Sequence, residues 1–183
     1  MLANLRALFG VVVDIVLWRR GPEQLPASPA LLTCVVALSI AGSALMCLVT
    51  PASLPSALAQ GMVGAGVMLL WFRTALKLAG KHERFLQTAT AIFGVNVLFV
   101  PAMVPLVGAV MPYLEKADPN VPPPAALLIV TFAIGLWALL VEMRIVRAAF
   151  ECTWIAAFLL VSGEVLAAGF VSMLLFGEPP GAN

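Results

Sequence analysis

The cations of this chain alternate: nine of its ten Lys and Arg residues fall before, or in every second gap between, long apolar stretches, and only Lys116 falls in another gap. A chain threaded back and forth through a bilayer keeps Lys and Arg on the cytoplasmic side of successive turns, so this pattern both assigns the solvent and orients the chain. Composition agrees. With 62% apolar residues, 10% charged and a mean hydropathy of +1.07, there are too few polar side chains to cover a water-facing surface. The sequence therefore predicts an all-α polytopic membrane helix bundle.

About 20 apolar residues are needed to cross roughly 30 Å of hydrocarbon. Five segments qualify, at Ala30–Thr50, Leu54–Leu78, Phe85–Pro112, Ala125–Val146 and Thr153–Phe176. Pro51-Ala52-Ser53 reads as a tight extracytoplasmic turn, and Tyr113 to Pro124, with Glu115, Lys116 and Asp118 among prolines, as a stiff acidic external loop. Arg73, Lys77, Lys81 and Arg84 surround the second gap, and Arg144 and Arg147 the fourth. The resulting topology is N-in/C-out: residues 1–24 form an N-terminal interfacial helix and turn, 25–177 the five-helix domain, and 178–183 an external tail.

The N-terminal segment is apolar but short, is interrupted by Asp14, and stops at Arg19-Arg20-Gly21-Pro22. A signal peptide would carry its cations before the apolar core rather than after it. The segment reads instead as an amphipathic helix on the cytoplasmic face, with Trp18 and two arginines at headgroup depth. A sixth span is the alternative, and it would move only Arg6 across.

Several function classes are excluded. A formal charge of +1 with cations confined to a thin rim argues against a nucleic-acid partner. Cys34 and Cys47 lie about 20 Å apart along one helix, too far for a disulfide, and Cys152 completes no CxxC pair. His82 is the lone histidine, so neither a metal cluster nor a histidine-based nucleophile can be assembled. Nucleotide-binding and HExxH patterns are missing, so no cofactor is expected and the chain reads as a non-enzyme.

Four residues form a candidate intramembrane polar site: Glu164, Asn96, Pro101 and Pro105. Glu164 lies eleven positions into the fifth span, near the bilayer centre, and Asn96 lies eleven positions into the third. A charge at that depth costs at least ~2.5 kcal/mol on insertion scales. Glu164 is therefore either a coupling carboxylate facing a cavity or a neutral carboxyl fixing helix packing, with the Asn96 amide as its expected partner. Pro101 and Pro105 remove two backbone donors, which predicts a broken third span of the kind found at transporter sites and also in ordinary kinked helices.

At the cytoplasmic rim, Arg147 is spaced to pair with Glu151 at i+4. Glu142, near the end of the fourth span, is expected to use Arg73 or Lys77. Ala37-xxx-Ala41, Ala57-xxx-Gly61-xxx-Ala65 and Gly163-xxx-Ala167 predict close helix contacts.

Five spans in under two hundred residues, Phe99-Val-Pro101-Ala-Met-Val-Pro105 in the third, and Leu136-Trp137 running into a basic end in the fourth resemble the bacterial branch of the Yip-domain membrane proteins, over roughly Pro26 to Gly177. The resemblance implies fold and topology. In the eukaryotic members the domain is associated with vesicle trafficking and small-GTPase partners, and it has no established catalytic residues to carry over. This chain lacks their long cytosolic region with its Asp-Leu-Tyr-Gly-Pro-type motif. Its Ala-rich, Arg-over-Lys composition points to a GC-rich bacterium and so to an inner membrane. The expected role is a scaffold, assembly or accessory subunit contacting membrane lipids and other membrane proteins or itself. The alternative is a small transporter or channel component centred on Glu164.

Overall fold

The computed structural model describes residues 2–50, 52–116 and 122–177. It is all-α. A short N-terminal helix α1 (Leu2–Val16) and a 3₁₀ turn (Pro22–Gln24) precede α2 (Pro29–Met46) and α3 (Leu54–Leu78). A second 3₁₀ turn (His82–Arg84) leads into α4 (Phe85–Lys116), α5 (Ala125–Phe150) and α6 (Trp154–Phe176). The helices α2 to α6 are each long and apolar enough to cross a membrane. Pro51, residues 117–121 of the expected external loop and the expected tail lie outside the described residues.

The helix ends follow from local chemistry. Ser28, Ser53 and Thr153 each cap a helix by accepting from the backbone N–H three residues on, with Pro29 and Pro55 in the first turns of α2 and α3. The helix α3 ends at Gly80, whose φ of +70° lets the N–H groups of Gly80 and Lys81 turn back to the carbonyls of Lys77 and Leu76 at 3.1 and 2.8 Å. That closure needs a left-handed residue, which glycine supplies without strain. Several hydroxyls inside the spans stay local: Thr33, Ser43, Thr50, Thr88 and Thr131 each donate to the carbonyl four residues back, which satisfies them within their own helices.

The helix α4 is the centre of the bundle, packing against α2 on one side and α5 on another, while α3 closes on α2 and α6 and α5 on α6. Its N-terminal half carries the core: Ala89, Ala91, Ile92, Phe93 and Val95 are almost fully buried, with Phe72, Val141, Ile145, Val146, Ala157 and Val161 from the neighbours. Close approach is made at small residues. A Cβ on Gly61 would stand 2.8 Å from Ser43 Oγ, and one on Gly163 would stand 2.7 Å from the Trp71 ring, as the small-residue spacing in those two spans predicts.

One expectation is corrected here, and one is extended. The third span is not broken: α4 runs as one helix through Pro101, Pro105 and Pro112. The helix α2 packs along this stretch, with Gly42 set against Val100 and Gly108 against Val49, and a flanking helix can hold a proline-containing span straight enough to continue. The N-terminal helix is short, as expected, and one face of it also docks on the bundle. Val12 and Ile15 are 5% and 2% exposed and belong to the core formed by α4 and α5. Its 15 residues give about 22 Å at 1.5 Å each, short of a sixth crossing.

Candidate functional site

The helices α5 and α6 meet through a three-residue reversal, Glu151 to Thr153, and this sets the depth of both buried carboxylates. Glu142 lies eight residues before the end of α5 and Glu164 ten residues after the start of α6. At 1.5 Å per residue both are about 12 to 15 Å above the same turn. Glu164 faces inward with Ala157 and Val161, and is 5% exposed. Glu142 is half-buried as a residue, yet its Oε1 is completely shielded and has no hydrogen-bond partner. They stand at a common level on two helices that pack together.

Sequence reasoning missed this pairing. It counted Glu142 from the end of an apolar run at Val146, where the helix in fact continues to Phe150. The expected ion pairs of Glu142 do not form: no salt bridge among the described residues joins it to Arg73 or Lys77, and both of those cations are exposed. Asn96 is not brought to Glu164 by any hydrogen bond among the described residues. It lines a separate cavity of about 460 Å³ between α2, α3, α4 and α6, together with Ser39, Ser43, Thr50, Gln60 and Ser172. Pro101 and Pro105 line neither place.

A hydrogen bond fixes α6 to α3 just below Glu164. Trp71 Nε1 donates to the Leu160 carbonyl at 3.0 Å, and its ring fills the space left by Gly163. The carboxylate pair is thus held on rigid helices rather than on loops.

The basic rim is organised around Glu151, whose φ of 51° places it in the left-handed region at the end of α5. Lys81 Nζ and Arg84 Nη2 each reach the Glu151 carboxylate at 2.6 Å. Lys81 also donates to the Phe150 carbonyl at 2.8 Å, and Arg84 Nη1 to those of Ala148 and Ala149 at 3.3 Å. These cations satisfy the orphan carbonyls that end α5 and oppose the negative end of its dipole. They also hold the Glu151 carboxyl at about 2, well below the usual carboxylate range. Arg147, expected to pair with Glu151, instead stands 5.1 Å above the Trp154 ring. The left-handed cap turns the Glu151 carboxylate toward the 3₁₀ turn between α3 and α4.

Three tryptophans gather at the same end. Trp18 stacks on Trp137 and Trp154 with centroids 5.7 and 6.0 Å apart, and Arg144 lies 5.3 Å from the Trp18 ring. No hint of this cluster came from spacing, because its members are far apart in sequence.

The fold is that of a multi-span membrane protein. No family model matches the chain, and neither a curated protein nor a solved structure is similar to it. No group of three metal-ligating side chains occurs among the described residues.

Proposed function

We propose that this protein is a non-catalytic inner-membrane helix bundle that acts as a scaffold or accessory subunit through its helix faces, in the manner of the Yip-domain proteins that its proline-bearing third span and basic-ended fourth span resemble. One observation carries the reading. The connections from α3 to α4 and from α5 to α6 are short turns, and the surfaces offered to a partner include helix faces with lipid-depth side chains such as Phe132, Leu166, Phe170 and Leu174, all strongly exposed. Gentle extraction of the tagged protein at native expression into lipid nanodiscs, followed by mass spectrometry, tests it. A stoichiometric membrane-protein partner is the expected result, and recovery of the chain alone or only with copies of itself would overturn it.

A second reading, proton- or cation-coupled transport, is favoured by the juxtaposition of Glu142 and Glu164. Two carboxylates at one depth without a compensating cation can share a proton or hold a monovalent ion. It expects Glu164→Gln to abolish flux at unchanged abundance, and retained flux would remove it.

A further inference from the structure

The segment that leaves α1 folds back tightly. Arg19 N and Arg20 N both donate to the Asp14 carbonyl, at 2.8 and 3.3 Å, around Trp18 at φ 63°. Pro22 and Leu25 are buried, and Gln87 of α4 donates to the carbonyls of Glu23 and Leu25 at 3.2 and 2.9 Å. The arginines are thereby presented from a pinned loop. Beneath them α5 contributes Arg144, and the space between is a cavity of about 280 Å³ whose walls include Arg19, Arg20, Gly21, Glu23, Gln24 and Arg144.

Three features of this cavity point to a ligand. Arg144 Nη1 is shielded from solvent and has no hydrogen-bond partner, an expensive state for a guanidinium N–H and one that an anionic oxygen would relieve. The charges do not cancel: Arg20 is answered by Asp14 at 3.0 Å, and Glu23 offsets one of Arg19 and Arg144, which leaves one positive charge. That matches a phosphodiester, which carries a single negative charge. Finally, Trp18, whose ring carries Arg144 at 5.3 Å, stacks on Trp137 and Trp154, each of the three about 40% exposed, and tryptophan gathers where acyl chains meet headgroups.

We propose that the Arg19–Arg20–Arg144 cavity holds the phosphodiester of an anionic phospholipid from the leaflet on the basic side of the bundle, with Arg144 at its base and Arg19 at its mouth. The site does not depend on which protein partner the bundle serves. It requires arginine forks rather than a generic rim of charge.

The test is native mass spectrometry of the full chain released from nanodiscs of phosphatidylcholine doped with phosphatidylglycerol. Wild type is expected to retain one phosphatidylglycerol per chain. Arg144→Gln and Arg19→Gln should each lower its retention about tenfold, the worth of one charged hydrogen bond, while Glu23→Gln should raise it. Arg73→Gln removes one cation from the exposed surface of α3 at the same rim and should change nothing. Arg19 is exposed, so its variant reads binding even if Arg144→Gln fails to fold. Equal losses in the Arg73 and Arg19 variants, or no selective retention at all, would overturn the proposal. So would Arg144-dependent binding of soluble glycerol phosphate to the protein in pure phosphatidylcholine discs, because the ligand would then be a free phosphate ester.

Discussion

Substituting Gly163 by Ala probes the seam between α3 and α6. An added Cβ would lie 2.7 Å from Trp71 Cζ2 and 3.0 Å from Cη2. Carbon atoms rest at about 3.5 to 4.0 Å, so the indole must retreat by about 1 Å. It is not free to do so, because its Nε1 is bonded to the Leu160 carbonyl at 3.0 Å on the same helix that is pushing it. Retreat stretches that bond past about 3.5 Å, where it ceases to count. Losing an interhelical hydrogen bond in a membrane bundle costs about 0.6 kcal/mol, and overpacking adds about 1 to 3 kcal/mol. Against this, Ala is the better helix former by up to about 1 kcal/mol, so the net loss is about 1 to 2 kcal/mol. A double-mutant cycle removes the propensity term. In a Trp71→Phe background the ring is smaller and the bond already absent, so the same Gly163→Ala change should be neutral or stabilising, with a coupling of about 2 kcal/mol. Unfolding by sodium dodecyl sulfate in mixed micelles, followed by far-UV circular dichroism, reads both arms. A coupling below about 0.5 kcal/mol would refute the claim that Gly163 exists to admit the Trp71 ring.

Three further outcomes are expected. The ion pairs of Glu151 contribute in full above its unfolded value near 4.5 and are lost as pH falls toward about 2; Glu151→Gln should therefore flatten the acid limb of a stability profile measured in detergent and leave the neutral region with a constant offset. Glu142→Gln should keep or raise stability by up to about 1 kcal/mol in the same unfolding assay, because a shielded, unpartnered carboxylate beside Glu164 is replaced by a neutral isostere; a clear loss would mean that the carboxylate has a partner. Gly80→Ala, at φ +70°, should cost about 1 kcal/mol, and Gly80→Asn distinctly less, since asparagine tolerates the left-handed region.

The spans, and their boundaries to within a few residues, were legible because they rest on local chemistry: apolar length, and turn residues and charges where the apolar runs stop. The rim was legible only as composition. Spacing assigned Glu151 to Arg147 one turn away, whereas a left-handed residue at the helix end sends its carboxylate to Lys81 and Arg84, a choice that depends on how two hairpins pack. Glu142 was misplaced for a related reason. Depth was counted from where apolarity stops, but Arg147-Ala148-Ala149-Phe150 continues the helix, and only the short reversal before Trp154 reveals that Glu142 and Glu164 share a level. For the tryptophan cluster and the arginine cavity, spacing signalled only Trp18, Arg19 and Arg20, since the other members come from the turn that follows and from α5 and α6.

The docking of α1 has a consequence for biogenesis. Its buried residues, Val12 and Ile15, rest on α4 and α5, which the ribosome makes long after α1 has emerged. The first helix must therefore wait, undocked, while three spans are inserted, and it finds its seat only when the fourth arrives. The docking of α1 thus records whether insertion has passed α5: a chain stalled before it would leave the apolar face of α1 open to proteases and chaperones, and one past it would hide that face.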